Sequence, residues 1–177
     1  MRVVLLGPPG SGKGTQGAAL AERLGVPVIS SGELLRAAAA DGRQDLAATL
    51  ERGELVPDDV VTALVREAVA AERCAGGYLL DGYPRTVQQA ERADAPPVDV
   101  VVHLDLPDDV ARRRLAGRGR ADDTDPRVVE RRLARYHAET EPLLDLYRRR
   151  GILVAVDGDQ PPEAVTADIL TALGVVA

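Results

Sequence analysis

The chain of 177 residues contains no phenylalanine and no tryptophan, and four tyrosines make up its whole 2% aromatic content. A core made from this composition is expected to be packed from Val, Leu, Ile and Ala, and recognition by rows of stacked rings is disfavoured. The only cysteine, Cys74, rules out an intramolecular disulfide and a cysteine-rich zinc site, which fits a reducing compartment. No run approaches the ~18 apolar residues of a membrane helix, and the N-terminal MRVVLLGPPG has neither the apolar length nor the cleavage region of a signal peptide. A cytoplasmic location is therefore expected. Basic residues number 22 against 28 acidic ones, and the net charge of −6 argues against a general binder of nucleic acid or anionic membrane.

With 45% hydrophobic and 28% charged residues at this length, the chain is expected to form one domain with one sizeable core. Apolar, β-branched runs recur at Val3–Leu6, Val26–Ile29, Tyr78–Leu80, Val98–Leu106 and Ile152–Val156, with helical patterns between them. That alternation predicts an α/β fold with a five-stranded parallel sheet, and the continuous apolarity of most runs predicts helices on both faces. Helices are predicted over Gly14–Leu24, Pro57–Glu72 and Pro107–Leu115. The Pro-Asp-Asp starts at Pro57 and Pro107 suit the orphan amides and dipole of a first turn. Two stretches break the rhythm: a helical insertion at Ser31–Val56 and a polar loop at Gly117–Pro126, GRGRADDTDP.

Chemistry concentrates first in Gly7-Pro8-Pro9-Gly10-Ser11-Gly12-Lys13-Gly14-Thr15, between the first strand and the first helix. Glycines let the backbone wrap so that N–H groups point inward, and the helix adds the positive end of its dipole to that anion nest. Lys13 is the only lysine in the chain; every other cation is arginine. A thin ammonium stem fits a narrow backbone cradle where a planar guanidinium does not. Gly14 stands where a Ser or Thr usually follows the lysine, with Thr15 one place later.

A phosphate loop gives nucleotide binding but no reaction. Nine arginines lie between Arg112 and Arg135, a basic concentration in an acidic protein. Arg112, Arg113, Arg127, Arg131 and Arg135 are expected on solvated helix faces. Arg118 and Arg120 flank glycines in the polar loop, where closure could bring them over a polyphosphate. Asp81-Gly82-Tyr83-Pro84-Arg85 ends the third strand, where open parallel sheets bind ligands. Asp81 there is either a magnesium ligand acting through water or a cap on the next helix, and Arg85 is positioned to pair with a phosphate.

These residues resemble the adenylate kinase family of P-loop nucleoside monophosphate kinases. The resemblance runs through GPPGSGKGTQ at Gly7–Gln16, SSGELLR at Ser30–Arg36, GELVPDD at Gly53–Asp59, DGYPRTVQQ at Asp81–Gln89, RRLAGRGRADD at Arg113–Asp123 and VDGDQP at Val156–Pro161. It implies reversible transfer of the γ-phosphoryl group of ATP to AMP, giving two ADP. Magnesium would be bound to the nucleotides, there would be no zinc site, and the chain would be a monomer. It implies a helical AMP-binding insertion within residues 30–59 and a short lid at 117–127.

By the same resemblance, Lys13, Arg85, Arg120 and Arg132 serve catalysis, and Asp122 and Asp123 orient the lid arginines. Gly10, Ser11, Gly12, Lys13, Gly14, Thr15, Arg114, Arg118 and Gln160 meet ATP. Ser31, Arg36, Glu54, Val56, Gly82, Arg85, Gln89, Arg120 and Arg132 meet AMP, with Gln89 at the adenine. Ser31 and Glu33 stand where threonine and aspartate are usual. A UMP/CMP-type kinase and a non-catalytic nucleotide sensor remain as alternatives on residues alone.

Overall fold

The computed structural model describes residues 1–41, 56–119, 123 and 125–175. Its five strands are β1 (Arg2–Leu6), β2 (Val28–Ser30), β3 (Tyr78–Asp81), β4 (Val100–Asp105) and β5 (Leu153–Asp157). All pairs are parallel, in the order β2-β3-β1-β4-β5. The chain leaves β1 in one direction to lay down β2 and β3, then crosses over to build β4 and β5. The carboxyl end of β1 is therefore where the winding reverses, the place at which such sheets leave a crevice.

The helices are α1 (Lys13–Leu24), α2 (Ser31–Ala40), α3 (Asp58–Ala70), α4 (Val87–Glu91), α5 (Asp108–Ala116), α6 (Pro126–Arg135), α7 (Pro142–Arg149) and α8 (Pro162–Ala172). Successive residues of β1 serve opposite faces, as the period of two requires. Val4 and Leu6 pack with Leu35, Val61, Val65, Leu143 and Tyr147 from α2, α3 and α7. Val3 and Leu5 pack with Leu20, Val165, Ile169 and Leu170 from α1 and α8. Both faces are thus covered, which explains why the strands read as unbroken apolar runs. A third cluster joins α5 to α6 through Val110, Ala111, Leu115, Val129 and Leu133.

Three differences from the sequence expectation have local causes. β4 starts at Val100 rather than Val98 because the Asp99 carboxylate accepts from the Arg2 backbone N–H at 2.7 Å and pairs with its guanidinium. Pro57 and Pro107 sit at the N-cap, one residue before the first turn that Asp58-Asp59 and Asp108-Asp109 occupy. The core is not aliphatic alone: Tyr78, Tyr83, Tyr136 and Tyr147 are all buried. Tyr78 donates to Pro97 O at 2.5 Å, Tyr83 shares a 3.1 Å bond with Thr62, and Tyr136 meets His103 Nε2 at 2.9 Å. Burial holds the Tyr78 and Tyr147 hydroxyls up at about 12. Among the described residues no helix is long and apolar enough to cross a membrane.

Of the 30–59 segment, residues 31–40 form α2 and Val56 enters the core; 42–55 lie outside the described residues, as do 120–122 and 124 of the 117–127 segment. Glu54, Arg120 and Asp122 are among those outside.

Candidate active site

The loop after β1 takes the form its glycines allow. Gly10 holds φ +85°, and a Cβ there would stand 2.9 Å from Ala111 O and 3.2 Å from Leu115 Cγ, so the loop lies directly on α5. Ser11 is buried and its N–H closes a turn onto Pro8 O at 3.1 Å, while Gln16 N bonds to Gly12 O at 2.9 Å. Gly14 and Thr15 are exposed at the start of α1. Gln16 itself is a fold residue, donating to Pro162 O at 2.9 Å and accepting from Thr166 at 2.7 Å.

Lys13 Nζ curls back into this cradle and donates to Gly7 O at 2.8 Å and Pro8 O at 2.9 Å, with Ser11 Oγ at 3.4 Å. Its pKa is lowered from 10.5 to about 8, chiefly by desolvation, with Asp81 opposing and Arg85, Arg132 and Arg118 adding repulsion. Side chains from β3, the β3–α4 turn, the segment after α5 and α6 therefore lie close enough to act on one ammonium. Around the ammonium three guanidiniums outnumber the one carboxylate, Asp81, so the cluster favours an added anion, which is the electrostatic demand of a phosphate site.

A pH dependence follows. Above about pH 8 the ligand-free ammonium gives up its proton, whereas bound phosphates would favour the charged form. Triphosphate binding should take up a proton between about pH 8 and 10, and affinity should fall as pH rises through that window. Calorimetric titration in two buffers of different ionisation enthalpy checks this, and Lys13→Met should flatten the profile.

Arg85 is fixed on three sides. Its N–H donates to Gln89 Oε1 at 2.7 Å, its C=O accepts from Thr140 Oγ1 at 2.8 Å, and its Nε donates to Gly82 O at 2.8 Å. Gly82 has φ +81°, and a Cβ there would press to 2.7 Å from Ser31 Oγ, whose hydroxyl donates to the same Gly82 O at 2.7 Å. The guanidinium is exposed, yet protein crowds it closely enough that desolvation lowers its pKa; Arg132 and Arg135 add repulsion, and Asp81 and Glu139 oppose.

Thr140 comes from a π-turn, Tyr136–Thr140, closed by Glu141 N on Tyr136 O at 2.8 Å. Such turns reposition side chains inside otherwise regular helix. Removing the hydroxyl costs about 1 kcal/mol of positioning, roughly fivefold. Thr140→Val should lower kcat by that factor with the fold unchanged, and Thr140→Ser should restore it; steady-state kinetics and thermal melts decide.

The other sequence candidates fall as follows. Arg132 Nη1 donates to Asp123 Oδ1 at 2.5 Å, and Arg118 Nε lies 3.9 Å from Asp123 Oδ2, so the buried Asp123 links two arginines. Arg131 is exposed, which leaves Arg132 as the inward member of that pair. Arg114 reaches Asp159 Oδ1 at 3.4 Å. The Gln160 side chain turns to Asp157 O and Asp168, leaving its backbone for any ligand contact. Arg36 is exposed on α2 and lies over Gly32. The Val56 side chain is spent in the core, and Ser31 is buried beneath Gly82.

Two expectations need correction. Asp81 does not cap the next helix, because Thr86 accepts from Gln89 N at 3.1 Å and does so itself. Arg135 is not on a solvated face: it is half-buried and acts on Arg85, one turn beyond Arg132. An i, i+3 count from Arg132 would have found it. Glu139 and Thr140 carried no sequence signal, since a π-turn has no simple pattern. Both histidines are satisfied within the fold, His103 by Tyr136 and His137 by Glu141 at 2.8 Å and Asp108 at 3.0 Å.

A parallel sheet, a phosphate loop at its reversal point and converging arginines define the P-loop α/β phosphotransferase class. The family model described as adenylate kinase matches residues 5–152. The chain is 40% identical to the adenylate kinase of Thermobifida fusca, with 98% of each chain covered. It is 43% identical to that of a Caulobacter species, with 100% of each covered, and 44% identical to that of Kocuria rhizophila, with 97% of this chain and 98% of that one covered. The chain belongs to the adenylate kinase family.

Proposed function

We propose that the protein transfers the γ-phosphoryl group of ATP to AMP, giving two ADP, through the residues gathered around Lys13. The observation that carries this reading is the convergence of Arg85, Arg118 and Arg132 near the phosphate-loop lysine, each close enough to repel its half-buried ammonium. Holding a single nucleotide has no need of so many cations from separate elements. Bringing two polyanions end to end does.

An AMP phosphate oxygen attacks the γ-phosphorus in line, the bond to the β–γ bridging oxygen breaks, and its electrons leave with ADP. The attacking oxygen is already anionic at neutral pH, so no strong general base is required. Lys13 and the loop amides hold the donor phosphates, Arg85 with Arg36 holds the acceptor phosphate, and Arg132 with Arg120 neutralises charge as it spreads. Asp123, joined to both Arg132 and Arg118, sets their spacing before nucleotide arrives. Residues 30–59 act as the acceptor-side insertion and 117–127 as the lid; Arg114 and the backbone at Gln160 complete the donor side.

A magnesium ion fits the donors present. Asp81 is half-buried at the end of β3 beside Lys13 and Arg85, and Thr15 is exposed at the head of α1. Among the described residues no three His, Cys, Asp or Glu converge into a protein-only cage. That suits an ion held through water by one carboxylate and otherwise by the nucleotide. Bound there, magnesium would draw charge from the donor oxygens.

The protein is further proposed to act as a cytoplasmic monomer in nucleotide biosynthesis: its one thiol is buried, and among the described residues Met1 is the only exposed large hydrophobic side chain. A coupled assay of ADP formation with AMP, UMP, CMP and dGMP as acceptors tests the substrate. Preferential turnover of UMP or CMP would replace the AMP reading.

A further inference from the structure

The Gln89 side chain is 2% exposed, and both ends of its amide are engaged. Oε1 accepts the Arg85 N–H at 2.7 Å, and Nε2 donates to Asp58 Oδ1 at 2.6 Å. A backbone N–H can only donate and a carboxylate oxygen can only accept, so these partners permit one orientation of the amide. The other Asp58 oxygen accepts from Thr86 Oγ1 at 3.4 Å. Because that hydroxyl oxygen already accepts from Gln89 N, its hydrogen is committed to Asp58. Asp58, in the first turn of α3, therefore dictates the order of donors and acceptors in the whole network.

Each end of the amide keeps one bonding position, a lone pair on Oε1 and a hydrogen on Nε2, so a base that reaches the edge between them meets an acceptor beside a donor. Adenine offers a complementary pair: an exocyclic N–H donor next to the N1 acceptor. Hypoxanthine offers the reverse, an O6 acceptor next to an N1–H donor. For Gln89 to pair with hypoxanthine its amide must turn over, which sets Oε1 against a carboxylate oxygen and Nε2 against the Arg85 N–H. Both existing bonds are then lost and both partners are left unsatisfied.

We propose that Asp58 is a specificity-determining positioning residue whose carboxylate locks the Gln89 amide in the orientation that pairs with adenine and rejects hypoxanthine. The inference rests on the proposed reading of Gln89 as the acceptor-base contact. Asp58→Asn exposes the mechanism without changing size. Thr86 still donates, so the new side chain must give Thr86 its oxygen and turn its NH2 group toward Gln89. The Gln89 amide then has to invert or lose its partner.

The measurement is kcat/KM for AMP and for IMP in the whole enzyme. For Asp58→Asn the AMP-to-IMP ratio should fall by about tenfold or more, the scale of a hydrogen bond to a charged group, with KM for ATP nearly unchanged and the melting temperature lowered only modestly, as the loss of one buried hydrogen bond requires. Asp58→Ala, which removes the carboxylate without adding a donor, should lower the ratio less and serves if the Asn variant does not fold. Gln89→Leu separates the two layers. If that substitution leaves the ratio unchanged, Gln89 does not read the base and the proposal fails with its premise. If it collapses the ratio while Asp58→Asn leaves it intact, or lowers AMP and IMP in proportion, Gln89 keeps its role and Asp58 loses the one assigned here.

Discussion

Replacing Arg85 by alanine is expected to lower kcat on the order of 10²-fold or more, the usual effect of deleting one preorganised charge from a transfer site. The guanidinium stands beside the ammonium of Lys13, and its own backbone is held by Gln89 from α4 and by Thr140 from the π-turn. A cation fixed in this way needs no reorganisation when charge develops, and that is the source of its effect. The fold should survive, because the side chain is exposed and its removal relieves repulsion from Arg132 and Arg135. Arg85→Lys should recover only part of the loss, since a point charge cannot reproduce a planar fork against phosphate oxygens. Stopped-assay kinetics with melting curves decide the matter: turnover within about threefold of the parent enzyme would remove Arg85 from the reaction.

The sheet was legible in the sequence because burial on both faces leaves long apolar runs, and the five runs map onto the five strands. The strand ends were less legible, since the Arg2 N–H goes to the carboxylate of Asp99, nearly a hundred residues away, although the Asp99 N–H still bonds to Arg2 O. Lys13 and Arg85 could be singled out because loop glycines and a strand-end position constrain them locally. Arg135, Thr140 and Asp58 could not. Each works through a residue distant in sequence: Arg135 on Arg85, Thr140 on the Arg85 carbonyl, and Asp58 on the Gln89 amide. Local pattern tells which residue types are available; only packing tells which of them meet. The buried tyrosines make the same point, because composition named four of them but could not say that backbone, hydroxyl and imidazole partners would let three hydroxyls go inside.

Lys13→Met should be the most damaging change of all, with kcat falling on the order of 10²-fold or more while the ligand-free fold becomes more stable. The two effects share one cause. Desolvation lowers the Lys13 pKa from 10.5 to about 8, so folding disfavours the charged form. Between about pH 8 and 10.5 the unfolded chain binds more protons than the folded one, so stability of the parent rises with pH across that window. Below about pH 8 the full cost of the half-buried ammonium is present, and the methionine variant should melt higher there. Above about 10.5 the lysine is neutral in both states and the advantage should vanish. The gain stays modest because Nζ already has two loop carbonyls and some solvent around it. Melting temperatures of both proteins at pH 7 and pH 10.5, set beside kcat at pH 7, test the pair of claims. A variant that loses activity and stability together would mean that Lys13 holds the loop in shape, and its charge would then cease to explain the rate.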